Sequence, residues 1–265
     1  MRLCSLYSGS SGNCIYVGSD HTHILIDTGV STRKITQALQ NIDLKPEDID
    51  AILITHEHSD HIGGLGVFLR KYGTPVYGTS KTLEEVGRYK NLGKVDFSLF
   101  HGIRPEESFA IKELYVKPIS IWHDASDPVC YTVTDGDKKV SVATDLGDYD
   151  DHFVRSLSGA DAMLIEANHD IRMLEVGPYP YHLKQRIMGH RGHLSNERGG
   201  QLVRALLNDH IKGIYLGHLS KENNYPDLAF ETVKNELFGN PYSSDYRDFN
   251  MMVANREHCS LLIEC

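Results

Sequence analysis

The stretch Asp50-Ala51-Ile52-Leu53-Ile54-Thr55-His56-Glu57-His58-Ser59-Asp60-His61 decides how this chain is read. Its first half is a short apolar run with β-branched residues, the pattern of a buried strand. Its second half sets three histidines and an aspartate in the order H-x-H-x-D-H. Imidazole nitrogens and carboxylate oxygens suit Zn, Mn or Fe, and a loop leaving a strand can aim alternate side chains at two ions about 3.5 to 4 Å apart. His56 and His58 are therefore expected on one ion, Asp60 and His61 on the other. The carboxyl end of a strand is also where open α/β sheets place their sites.

Outward from that loop, strand-like runs are expected at residues 3–7, 14–17 and 23–26, with Gly18-Ser19-Asp20 turning between the last two. A helix is expected over 32–40, opened by Ser31 or Thr32, then the strand at 51–54 and helices near 67–72 and 82–89. The second half repeats the theme, with strands at 114–119, 129–134 and 139–143 and a hairpin turn at Asp135-Gly136-Asp137. A strand at 162–165, an amphipathic helix at 196–207 capped by Ser195, and a buried strand at 214–216 follow. Hairpins interleaved with helices indicate two mixed sheets between outer helices, although periodicity alone does not choose this over other α/β plans.

Two metal ions need more than four protein ligands, and other strand ends supply them. His123 follows Pro118-Ile119-Ser120-Ile121-Trp122, and His218 follows Ile214-Tyr215-Leu216-Gly217. Asp145 follows Val140-Ser141-Val142-Ala143-Thr144, with Gly147 keeping the backbone open behind it. A carboxylate at that position can reach both ions. Singly, a loop histidine or a strand-ending aspartate is ordinary turn chemistry. Three metal-competent side chains at three strand ends, beside H-x-H-x-D-H, make a site.

The 265 residues, 40% of them hydrophobic, can bury one large core, and no linker, low-complexity tract or short-period repeat divides them; residues 1–265 are expected to form one domain. A net charge of -9 argues against whole-surface attraction to nucleic acid or acidic membranes. The five cysteines, at 4, 14, 130, 259 and 265, contain no C-x-x-C pair and make no disulfide framework, which fits a reducing cytoplasm. The chain turns polar and glycine-rich by Ser8, and no apolar stretch approaches the ~20 residues of a membrane helix. A soluble, unexported cytoplasmic protein with no membrane partner is expected.

The ordered set Asp27 in Ile26-Asp27-Thr28-Gly29, H-x-H-x-D-H, His123, Asp145 and His218 resembles the metallo-β-lactamase fold superfamily over nearly the whole chain. Ser8-Gly9-Ser10-Ser11-Gly12-Asn13-Cys14, Gly192-His193-Leu194-Ser195-Asn196 and the segment from Gly217 to Asn224 are similar to the bacterial YycJ/WalJ group. The resemblance implies a four-layer αβ/βα sandwich of two mixed β-sheets flanked by helices. It also implies two divalent metal ions, Zn or Mn with Fe also compatible. His56, His58 and His123 would hold the first and Asp60, His61 and His218 the second, with Asp145 bridging. Asp27 would orient a ligand histidine instead of binding metal. His58 stands where related diiron proteins carry Glu, and β-lactamases lack a carboxylate comparable to Asp145, so the resemblance points away from both.

Two such ions make metal-assisted hydrolysis the reaction class, with Asp60 placed to accept the water's proton. The YycJ/WalJ resemblance implies exonuclease activity on DNA. A non-ligand histidine shortly before the last ligand in related nucleases assigns His193 as general acid, with a ligand role as its alternative. Between Tyr181 and Arg204 the chain holds Lys184, Arg186, Arg191, Arg198 and Arg204 against Glu197, a basic stretch that could seat DNA phosphates or simply be a solvated face. Tyr179 or Tyr181 could stack on a base. Ser10, Ser11 and Asn13 could offer a phosphate their loop. A hydrolase of a small thioester, lactam or cyclic phosphodiester, and a non-catalytic metal-binding regulator, remain the alternatives.

Overall fold

Alternate residues of the early strands go to different cores. In β1 (Arg2–Tyr7) Leu3 faces one core while Cys4 and Leu6 face another, and in β2 (Cys14–Gly18) Ile15 and Val17 separate in the same way from Cys14 and Tyr16. β3 (His23–Ile26) continues with Ile24 and Ile26 against Leu25, and β4 (Ala51–Leu53) with Ala51 and Leu53 against Ile52. Period-two alternation with both faces apolar means a sheet covered on both sides. The structure, a computed structural model, describes residues 1–238 and 250–265.

Between β3 and β4 lies helix α1 (Thr32–Gln40), capped by the Ser31 hydroxyl, which accepts from the Lys34 N–H. After β4 come the single turn α2 (Ser59–Ile62), α3 (Leu65–Tyr72), β5 (Val76–Thr79), α4 (Ser80–Arg88) and β6 (Phe100–Ile103). The second half runs β7 (Phe109–Ile111), β8 (Leu114–Ser120), β9 (Val129–Thr134), β10 (Lys139–Ala143), α5 (Asp151–Leu157) and β11 (Ala162–Glu166). It closes with α6 (Ile171–Val176), α7 (Tyr181–Met188), α8 (Asn196–Leu206), β12 (Gly213–Gly217), α9 (Pro226–Leu237), β13 (Met251–Val253) and β14 (Ile263–Glu264).

Two seven-stranded sheets result, ordered β14-β1-β2-β3-β4-β5-β6 and β13-β12-β11-β10-β9-β8-β7. Within each half, hairpin-linked antiparallel strands lead into strands that pair in parallel, β3 to β6 in the first sheet and β10 to β13 in the second. The central core joins the two sheets through Leu3, Ile24, Leu53, Tyr131, Leu164 and Tyr215. The outer cores lie under α1, α3 and α4 on one side and under α5, α8 and α9 on the other. This is the four-layer sandwich of the sequence expectation.

The longer elements fall where periodicity puts them. The departures are short: β5, β6, β7, β13 and β14 hold two to four residues each and exist because a neighbour supplies the hydrogen bonds, as Leu3 does for Ile263. Helices α5, α6 and α7 are likewise too brief for a 3.6-residue pattern to stand out. Pro226 at the start of α9 is a start signal that the sequence reading passed over. The histidine motif is not all loop: His58, extended, stands at the N-terminus of α2, and Asp60 and His61 lie on its helical turn. Among the described residues no helix is long and apolar enough to cross a membrane.

The ligand segment is held tightly by backbone. A Cβ on Gly29 would lie 1.6 Å from the Asp60 carbonyl oxygen, so the chain after β3 passes α2 at a distance that only glycine allows. Gly29→Ala is expected to cost at least about 2 kcal/mol of stability and to lower metal content, read by urea denaturation and by metal analysis of the purified variant.

Candidate metal centre

Donors from both halves of the chain meet at one end of the two sheets, past β4, β8, β10 and β12. His56 and His58 follow β4, and His123 lies past β8; their ring nitrogens approach to 3.0 Å (His56 Nε2 to His58 Nδ1) and 3.3 Å (His58 Nδ1 to His123 Nε2). Asp60, His61 and His218 form a second group, with Asp60 Oδ2 at 3.5 Å from His61 Nε2 and 3.6 Å from His218 Nε2. Asp145, past β10, stands between them: Oδ2 is 3.2 Å from His61 Nε2 and Oδ1 is 3.6 Å from His123 Nε2. All seven residues that the sequence points to are therefore brought together.

Two observations test whether this cluster fits metal ions. Donors on a tetrahedral ion with bonds near 2.0–2.1 Å stand about 3.4 Å apart, and the observed separations lie close to that. Moreover, Asp145 Oδ2 and His218 Nε2 are buried and make no well-aligned hydrogen bond, although His61 Nε2 lies 3.2 Å from the first and Asp60 Oδ2 3.6 Å from the second. Orphaned polar atoms aimed at a common centre are costly unless a ligand completes them. The donor set fits divalent cations.

Charge reaches the same conclusion. Burial works to keep His61 neutral, but the carboxylates of Asp145, Asp27 and Asp60 outweigh it and hold the imidazole well above its ordinary value. His218 is pushed up to about 10, against the effect of burial, by Asp145, Asp60 and Glu166. Asp60 and Asp145, despite burial, are held well below the usual carboxylate range, Asp60 by His61 and His218 and Asp145 by His218 and His61. His56 moves the other way: burial first, and then the charge of His61, depress it. Protons on histidine supply the positive charge that these carboxylates demand, and metal ions can replace those protons.

Two buried carboxylates orient the donors. Asp27, with φ +62°, accepts from the Thr55 N–H at 2.9 Å and the Thr55 hydroxyl at 2.7 Å, and its Oδ2 lies 2.7 Å from His61 Nδ1. This turns His61 Nε2 toward the centre. Glu166, closing β11, does the same for the other half: its Oε1 lies 2.8 Å from His193 Nδ1 and 3.0 Å from His218 Nδ1, while Oε2 accepts from the Leu146 N–H at 2.6 Å. Sequence reasoning missed Glu166. The signal was present, because Ala162-Met163-Leu164-Ile165-Glu166 is one more apolar strand ending on a metal-competent side chain. Asn224 and Asn196 hold each other through paired side-chain amides, at 2.8 and 3.1 Å, and join the His193 and His218 segments.

The basic stretch is largely occupied. Arg186 pairs with Asp124, the neighbour of His123; Arg198 pairs with Asp148 at 2.8 Å and lies over the Tyr149 ring; His190 also meets Asp148. Lys184 donates to the carbonyls of Glu175 and Gly177, and Arg191 is exposed. Tyr181 is 73% exposed. Asn13 is closer to the centre than any of these, its Nδ2 lying 3.1 Å from His61 Nε2, while Ser10 and Ser11 are exposed on the same loop.

A four-layer sandwich with histidine and aspartate donors at the strand ends defines a metal-hydrolase class, and comparison with known proteins gives the family. Residues 22–218 match the model of the beta-lactamase superfamily domain. The chain belongs to this superfamily and, within it, to the group of the WalJ and YycJ proteins. It is 45% identical over 232 residues to a protein of Streptococcus pneumoniae named exodeoxyribonuclease WalJ, covering 88% of this chain and 86% of that one. It is 36% identical over 237 residues to exodeoxyribonuclease YycJ of Bacillus anthracis, covering 89% of each. Among solved structures, Zn(2+)-bound PqqB from Methylobacterium extorquens superposes with a TM-score of 0.70 at 17% identity, covering 98% of this chain and all of that one. YhfI from Bacillus subtilis does so with a TM-score of 0.69 at 16% identity and 98% coverage of each. These two establish the fold.

Removing the Glu166 carboxylate leaves His193 Nδ1 and His218 Nδ1 without their acceptor. Glu166→Ala is expected to weaken metal binding about 10- to 100-fold, measured by competition against a chromophoric chelator. A second expectation concerns His169, buried beside Glu166, whose ring burial pushes down to about 4. The unfolded ring protonates near 6.5 and the folded one near 4, so the unfolded state binds more protons between those values. Stability should fall as pH drops through that window and level off below it, and His169→Gln should lose this component in denaturation curves run from pH 8 to about 4.

Proposed function

We propose that this chain is a metal-dependent DNA exonuclease, a phosphodiesterase of the cytoplasm working with two divalent ions, Zn or Mn. The observation that carries the reading is 45% identity across 88% of the chain to a protein named exodeoxyribonuclease. The free state of all five cysteines supports a reducing compartment.

His56, His58 and His123 would hold one ion and Asp60, His61 and His218 the other, with Asp145 shared. Ions so held activate water at neutral pH and polarise the phosphoryl oxygen. Asp60 suits the role of proton acceptor by its position: at 25% exposure it is open to solvent where Asp145 is closed. His193 donates a proton to the departing oxygen from Nε2, because Glu166 occupies its Nδ1. Asp27 and Glu166 hold the rings and touch no substrate. The pairing of Arg186 and Arg198 with acidic neighbours favours, as a second reading, a smaller phosphodiester that needs little backbone contact.

End-labelled duplex and single-stranded DNA, incubated with protein loaded separately with Mn and Zn, decides between the two. The expectation is progressive shortening that His61→Ala abolishes. His193→Ala should keep its metal and lose at least about 100-fold in kcat. Loss of metal along with activity would make His193 a ligand, and intact DNA with a metal-loaded protein would leave the small diester.

A further inference from the structure

The C-terminal segment returns to the candidate centre after β13 and delivers Arg256, a residue outside every motif in the sequence. Its Nη2 donates to the carbonyl of Leu219, the neighbour of His218, at 2.6 Å, and its Nη1 donates to the Ser10 hydroxyl at 3.4 Å. The loop carrying Ser10 is anchored to the centre at both ends. The Ser8 hydroxyl accepts from the His218 N–H at 2.8 Å, and the Asn13 N–H donates to the Asp60 carbonyl at 2.8 Å. Gly9, at φ +148°, lets the guanidinium pack against this loop: a Cβ there would stand 3.3 Å from Arg256 Cζ.

Unlike Arg186, Arg198 and Arg88, Arg256 has no carboxylate within 4 Å among the described residues. The acidic side chains that it senses, Glu257 and Glu222, stand beyond ion-pair distance. A half-buried guanidinium without a counter-charge is unusual, because charges leaving water are normally paired. Two of its five donors are engaged, and beside it the exposed Ser10 and Ser11 keep backbone N–H groups with no acceptor among the described residues. Alongside runs a cavity of about 330 Å³ lined by Ser8, Leu219, Ser220, Tyr225, Arg256 and His258, in which Tyr225 is half exposed.

Resting on the nuclease reading, we infer that Arg256 is a substrate-positioning residue that seats, with the Ser10–Ser11 backbone, a phosphate of the strand other than the one under attack. The nucleoside next to that phosphate lies in the cavity, against Tyr225. The seat recognises phosphate, whether a diester within the strand or a monoester at its end.

Steady-state rates on short end-labelled strands at several KCl concentrations test this with the metal-loaded full chain. Arg256→Gln, which can keep the bond to Leu219, is expected to raise KM about tenfold and change kcat by less than about threefold. The dependence of log(kcat/KM) on log[KCl] should become shallower by about 0.7 to 0.9, the signature of one lost phosphate contact. Arg256→Lys should restore the slope. If the variant loses the wild-type preference between 5′-phosphate and 5′-hydroxyl strands, the seat takes the end; if both strands weaken equally, it takes an internal diester. Wild-type KM and slope in Arg256→Gln, or a loss confined to Arg256→Ala with a lowered melting temperature, would overturn the assignment and leave a structural arginine. Should the wild-type chain cut no DNA, the nuclease reading fails separately. Inorganic phosphate then decides on the seat, which exists if phosphate raises the melting temperature of wild type more than that of Arg256→Gln and does not if both rise equally.

Discussion

Four carboxylates, those of Asp27, Asp60, Asp145 and Glu166, gather at one end of the two sheets, and among the described residues their ion-pair partners are all histidines. Asp27, Asp145 and Glu166 are almost wholly buried. Anions taken out of water must be balanced where they stand, and the structure around them is arranged to do so. Among the described residues no lysine or arginine forms an ion pair with them. The compensating charge is either a set of protons, on His61 and His218 above all, or metal ions. A cluster that can exchange one for the other is a poor way to stabilise a fold and a good way to bind a divalent cation tightly.

The two halves of the chain solve the same orientation problem with the same device. Each runs from antiparallel hairpin strands into parallel ones, and each puts a buried carboxylate at the end of a strand, Asp27 after β3 and Glu166 closing β11. Asp27 fixes the ring of His61; Glu166 fixes those of His193 and His218. Asp27, Asp145 and His218 all adopt positive φ, a conformation that costs energy in non-glycine residues and gathers where side-chain direction matters. The sheets also brace one another at the centre: the Tyr131 hydroxyl of β9 donates to the carbonyl of Ile54, just before the histidine motif.

Net charge is a weak guide to substrate here. The chain is acidic overall, and in its basic stretch Arg186, Arg198 and His190 are engaged with acidic neighbours. Contacts that could matter to a polyanion are instead few and placed by tertiary structure around a glycine-serine loop. That arrangement suits transient engagement of a strand better than tight, sequence-specific binding.

The sequence by itself determined the class of the molecule. H-x-H-x-D-H after an apolar strand, with His123, Asp145 and His218 at further strand ends, is legible because metal chemistry demands particular side chains and strands deliver them at fixed places. The long elements were legible too, since their periods of 2 and 3.6 persist over enough residues. Tertiary structure decided what depends on separation along the chain. Glu166 matters only because His193 and His218, 27 and 52 residues away, fold onto it. The short strands β13 and β14 exist only through their neighbours, and Arg256 reaches Ser10 across 246 positions. The pairing of Arg186 and Arg198 with Asp124 and Asp148 could not be read from composition either, because a charge's partner is set by packing and not by its neighbours in sequence.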